Sequence, residues 1–272
     1  MNRLCIHSIT NKPWGLDTLI KKYSGSGVPA ITIWEDAIKD HGAKSAGDKL
    51  RKSGLKVVSY ARGGFFPDLN ESKREENIDR NKRMIEDASL IGAPLMVLVC
   101  GADPGQSLQH SREQIRSGIE AVLPFAADFG VKLAIEPLHP MYADTRSAIN
   151  TLSAANDLAE YFDSEWVGVA IDVYHLWWDP DLKEQIQRCG RKGNILAFHI
   201  CDWNVPTQDL LLDRELMGRG CIPVNEISKW VDEAGFEGFR EVEIFSNRYW
   251  KQDQDSFLRD IISAYHETYK KS

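Results

Sequence analysis

The stretch "VGVAIDVYHLWWDP", residues 167–180, decides how the chain is read. Val167, Val169, Ala170 and Ile171 make an apolar, largely β-branched run of the kind that forms a buried strand. Asp172 then closes the run, with His175 three residues later and Trp177 and Trp178 beyond it. An ionised carboxylate at the end of a buried strand is costly unless something pairs with it. The stretch therefore calls for a fold that covers its strands on both faces, and for a partner to Asp172.

Similar short runs recur along the whole chain: "LCIHSI" (4–9), "AITIW" (30–34), "KVVSYA" (56–61), "PLMVLVC" (94–100), "KLAIE" (132–136), "ILAFHI" (195–200) and "REVEIF" (240–245). With 167–172 they make eight, their starts roughly 25–45 residues apart, room for a strand and a returning helix. Helical periodicity fills the gaps. "REENIDRNKRMIEDASLIGA" places Ile78, Met84, Ile85, Ala88 and Ile91 near one face and stops at Gly92. "SREQIRSGIEAVLPFAADFG" stops at Gly130, with a kink expected at Pro124. "PVNEISKWVDEAGF" has proline first and glycine last, and the final helix is expected within "DQDSFLRDIISAYHETY". Eight apolar strands alternating with eight helices predict an α/β protein, a single (β/α)8 barrel over residues 1–272. The competing open, doubly wound sheet lacks its Gly-x-Gly-x-x-Gly turn after the first strand.

Composition narrows the function. A net charge of −7, with basic residues scattered among acids, argues against a nucleic-acid surface. Five cysteines without C-x-x-C spacing suggest reduced thiols and a cytoplasmic protein, and "MNRLCIHSIT" leaves no room for a signal peptide. No run approaches the ~20 apolar residues that would span a membrane.

In a barrel, chemistry collects at the carboxyl ends of the strands. The fifth strand ends in Glu136, the sixth in Asp172, the seventh in His199 and the eighth in Glu243. Because these ends are adjacent, the four side chains can converge. Three carboxylates held together repel one another, and a divalent cation would relieve that repulsion and answer for Asp172. Oxygen donors with one imidazole suit Mn²⁺, Mg²⁺ or Co²⁺, and Zn²⁺ as well.

With that pattern the chain resembles the xylose isomerase-like TIM-barrel superfamily, most of all its inosose isomerase and ketose 3-epimerase branches. The family's D-x-x-H matches Asp172 and His175, its H-x-x-D matches His199 and Asp202, and its basic residue ahead of a Gly-x-Gly turn matches Arg214. The resemblance implies one divalent metal, Mn²⁺ favoured, on Glu136, Asp172, His199 and Glu243. It also implies an enzyme that moves protons next to a carbonyl through a metal-stabilised enediolate. Glu136 and Glu243 are the expected acid–base pair, acting on a ketose, inosose or keto-sugar. His175, Arg214, Trp34, Trp177, Trp203 and His139 are expected to contact the substrate, with His7 and Arg146 nearby. Phe65, Phe66 and Trp178 also fall at or beyond strand ends. "GRGCIP" (218–223) suggests a phosphate turn but lacks a further basic cluster, which favours an unphosphorylated ligand. A homo-oligomer accords with the resemblance.

Three rivals stand beside this reading. A lyase or dehydratase of a keto-sugar or inosose would use the same metal site. An endonuclease for abasic DNA would need further histidines where Tyr60, Ala61 and Cys100 stand. A non-catalytic sugar-binding protein would have no use for two glutamates beside a metal.

Overall fold

The computed structural model of the chain describes residues 3–270. Side-chain alternation along its strands sets the architecture. In β5 (Lys132–Glu136), Leu133 and Ile135 join the large apolar core beneath the helices, while Ala134 belongs to a small inner cluster. The same parity holds in β6 (Val167–Asp172), where Val169 and Ile171 face outward and Ala170 inward. In β7 (Ile195–Ile200), Phe198 and Ile200 pack outward and Ala197 inward. Counting on by two residues carries Glu136, Asp172 and His199 to the inner face at the strands' carboxyl ends.

These strands belong to a closed, all-parallel barrel. Around it run β1 (Leu4–His7), β2 (Ala30–Trp34), β3 (Lys56–Gly64), β4 (Leu95–Val99), β5, β6 and β7. Between β7 and β1 lies β10 (Arg240–Val242), the eighth stave. Register aligns the strand ends: Val99 opposes Glu136, Asp172 opposes His199, and His199 opposes Glu241. Glu243 follows directly, its backbone N–H bonded to Ile200 O at 3.1 Å.

Among the described residues, eight helices of ten residues or more pack outside the barrel. Local chemistry fixes their ends. Helix Glu71–Ile91 is capped by the Asn70 side chain and stops at Gly92, whose φ of 81° suits the left-handed turn there. Helix Leu108–Asp128 runs through Pro124, which falls in its last turns, where it removes one backbone bond without ending the helix. Pro223 and Gly235 flank helix Val224–Glu233, and Asp253 caps helix Gln254–Tyr269. No described helix is long and apolar enough to cross a membrane.

Three features exceed the sequence expectation. Strand β3 extends past Ala61 to Gly64. Four-residue helices begin at Glu35, Val173 and Asn247, each close behind a barrel strand. In the loop after β7, β8 (Asp202–Trp203) and β9 (Arg214–Glu215) pair antiparallel and lay Arg214 across the barrel mouth.

Candidate metal centre

Asp172 shows how the sequence builds the site. It ends β6 and caps the short helix Val173–Leu176, accepting from Tyr174 N at 2.8 Å. Its other oxygen accepts from Arg214 Nη1 at 3.1 Å. Two groups of the protein thus meet part of the cost of burying this carboxylate. They do not meet all of it: burial first, and then the charges of Glu243 and Glu136, push Asp172 up to about 7 in spite of Arg214.

Glu136, Asp172, His199 and Glu243, all buried, each offer a donor atom, and these atoms lie within 4.8 Å of one another. His199 Nδ1 sits 2.8 Å from Glu136 Oε1. Burial alone would lower the imidazole, but Glu136, Glu241 and Glu243 together push it up to about 10. Arg214 Nη1 donates to Glu243 Oε2 at 2.6 Å. Burial would raise Glu243, yet Arg214, His7 and His199 hold it well below the usual carboxylate range. Three carboxylates and an imidazole in this compass form a donor set that suits a divalent cation.

Beneath this set lies a second buried layer. Glu241, two residues before Glu243 and on the same face of its strand, accepts from the hydroxyls of Thr32 and Ser59 through Oε2. That oxygen is also 3.3 Å from His7 Nε2 and 3.9 Å from His199 Nε2. His7 Nδ1 in turn is 3.1 Å from Glu243 Oε1 and 3.1 Å from Trp34 Nε1. Both imidazoles are therefore placed between carboxylates of the two layers.

The profile of the xylose isomerase-like TIM barrel family matches residues 21–261. The chain belongs to this family. It is 25% identical over 246 residues to the inosose isomerase of Bacillus licheniformis, covering 84% of each chain. A crystal structure of a protein from Sinorhizobium meliloti superposes with a TM-score of 0.95 at 44% identity over 98% of both chains. More distant structures share the fold. The IolI protein, solved with a bound zinc atom, gives a TM-score of 0.85 at 20% identity over 99% of this chain and 98% of its own. D-psicose 3-epimerase, solved in the presence of D-fructose, gives 0.80 at 14% identity over 98% of both chains.

In this xylose isomerase-like barrel the cavity above the four donors is walled partly by residues the sequence singled out. Trp34, His175, Arg214, Glu136, Arg146 and Glu243 line it. His175 Nε2 lies 3.2 Å from Arg214 Nη2, and burial, then the charge of Arg214, lowers its pKa well below that of a free imidazole. His139, Trp177 and Trp203 stand apart from the wall. Trp203 stacks on Tyr174 at 4.8 Å, with Trp177 at 5.7 Å and His139 at 5.6 Å from it. His139 also caps the turn Pro140–Tyr142 by accepting from Met141 N. Phe66 is buried against Gly118, and Trp178 bonds to His175 O.

Arg62, Tyr142, Leu211 and Phe245 complete much of the wall, and the sequence reading had not marked them as site residues. The "GRGCIP" turn is not free to hold phosphate. Gly218 N and Gly220 N donate to Asp202 Oδ2 at 2.9 Å, and Ile222 N donates to Oδ1 at 2.8 Å. A carboxylate of the protein already occupies the anion-binding turn.

Proposed function

We propose that the protein is a divalent-metal-dependent isomerase or epimerase of a sugar or inositol-type ketone, acting by proton transfer beside the carbonyl. The convergence of Glu136, Asp172, His199 and Glu243 carries this reading. Family membership, and the inosose isomerase and epimerase names of its relatives, support it.

Glu136, Asp172, His199 and Glu243 would hold a divalent cation, which would supply Lewis acidity toward a carbonyl oxygen and offset the carboxylates. The chain's own groups do the rest. Glu136 and Glu243 reach the site from non-adjacent staves, so one carboxylate can take a proton from carbon and the other can return one. If they address opposite faces of one carbon the product is an epimer; delivery to the neighbouring carbon gives an isomer. Arg214, bonded to both Asp172 and Glu243, keeps the donors together and offers positive charge where oxygen gains electron density. His175 is held uncharged and can share a hydrogen bond with a substrate hydroxyl. Trp34 and Phe245 present apolar faces that exclude water.

Incubation of the metal-loaded protein with ketoses and inososes in D₂O tests the proposal. Deuterium incorporated next to the carbonyl, with formation of an isomer or epimer, is expected. Elimination of water would turn the assignment to the lyase, and no exchange with any substrate would refute it.

A further inference from the structure

Among the described residues, two guanidinium groups in the cavity wall have no hydrogen-bond or ion-pair partner. Arg62 lies on β3 and Arg146 in the loop after β5, and both are half-buried. Among the described residues neither makes a side-chain hydrogen bond, and no carboxylate comes within the 4.0 Å of an ion pair; the carboxylates Asp172 and Glu243 pair with Arg214 instead. Their flat faces are covered: Arg62 by Trp34 at 5.7 Å and Phe65 at 4.8 Å, Arg146 by Tyr142 at 5.4 Å. Aromatic contacts of this kind leave the N–H edges free. Water can still reach a half-buried guanidinium, but two like charges on one cavity wall, each backed by an aromatic ring and with its N–H edges unbonded, suit an anion that bridges them.

Charge in the wall points the same way. Glu136, Asp172 and Glu243 bring three negative charges, which Arg214 and a divalent cation would offset, while Glu241 beneath them is matched by His7, whose pKa, against burial, is raised by the carboxylates around it. Arg62 and Arg146 are then in surplus, and they are close enough that, after burial, the charge of Arg146 is what most depresses the pKa of Arg62. They stand over β3 to β5, the side that also carries Glu136, whereas Asp172, His199, Glu243 and Arg214 stand over β6 to β10. A ligand whose carbonyl sits at the four donors and whose other end reaches the β3 to β5 wall would bring a negative charge there to the two guanidinium groups.

We infer that Arg62 and Arg146 form an anion subsite, and that the substrate is a keto-sugar or polyol ketone bearing a carboxylate or phosphate at the end remote from the metal. This rests on the isomerase or epimerase reading for the other end of the molecule. It also replaces the "GRGCIP" turn as the place where an acidic group would be held.

The test compares binding of D-fructose, D-fructuronate and D-fructose 6-phosphate, identical but for the terminal carbon, to the metal-loaded protein by calorimetry. At least one charged sugar should bind tenfold or more tightly than fructose, and the better of the two names the anion. Arg62→Gln and Arg146→Gln should each pull that ratio toward one, with Arg62→Lys retaining part of it because the charge remains. Equal dissociation constants, a ratio unmoved in both glutamine variants, or no binding of any of the three or of inorganic phosphate would overturn the inference. Deuterium exchange separates the two claims. Exchange without a charge preference sinks only the subsite, whereas a charge preference without exchange sinks only the reaction.

Discussion

Replacing Asp172 by asparagine should make the metal-free protein more stable while removing its ability to hold a metal. Folding lifts this carboxyl from 3.8 to about 7, chiefly through burial. At ~1.4 kcal/mol per pKa unit, ionised Asp172 costs the folded state a few kcal/mol, part of which its neighbour Glu243 returns through the shared Arg214. The sign follows from the direction of the shift. A carboxyl raised on folding contributes stability below about pH 3.8, and that contribution is lost as the pH rises through about 7. Asparagine is uncharged throughout, so Asp172→Asn should match the wild type near pH 4 and gain steadily up to pH ~7. For a chain of roughly this size each kcal/mol gained at pH 8 raises the melting temperature by roughly 2–4 °C, so the variant should melt several degrees higher. Thermal melts of metal-free protein from pH 4 to 8, with calorimetric titration of Mn²⁺, read both effects. Manganese at ~1,000 times its dissociation constant should stabilise the wild type by ~4 kcal/mol and the variant hardly at all. A destabilised variant at pH 8, or one that binds metal as the wild type does, would refute the reasoning.

Other expectations rest on neighbouring groups. Glu136→Gln and Glu243→Gln should each abolish deuterium exchange with the fold intact by circular dichroism; turnover surviving in either would remove it from the acid–base pair. In metal-free protein His199 stands at about 10, so metal binding at pH 8 should expel about one proton and tighten as the pH rises. Calorimetry in buffers of different ionisation enthalpy measures this, and heats that do not vary with the buffer would contradict it. Glu241→Gln, which alters the carboxylate facing both His7 and His199, should weaken metal binding ~10–100-fold. An unchanged affinity would make Glu241 merely a filler of the barrel interior.

The barrel was legible because its signal is repeated: each apolar run reads as a strand, and eight of them at regular spacing leave few alternatives. Glu136, Asp172 and His199 were legible for the same reason, each closing a run at an equivalent point. Glu241 was missed although its signal is present, since "EVE" sets two carboxylates on one face of a strand and only the outer one was read. Arg62 was hidden because the third strand was ended at Ala61, whereas pairing with β4 carries it on to Gly64. Asp202 matched a motif, but its role as acceptor for the 218–222 backbone depends on a long loop folding back. For Trp177, Trp203 and His139, sequence placed the residues beyond strand ends without giving the direction of their rings. They pack against Tyr174 and one another and are not among the residues that line the cavity.

The central claim is that one divalent cation is held jointly by the last four staves of the barrel. Anomalous diffraction from crystals soaked in Mn²⁺ addresses it without recourse to activity. The account predicts a single strong peak bounded by Glu136, Asp172, His199 and Glu243, with Arg214 displaced from at least one carboxylate oxygen. A map without a peak there, in which those carboxylates stay paired with Arg214 and the imidazoles, would contradict it.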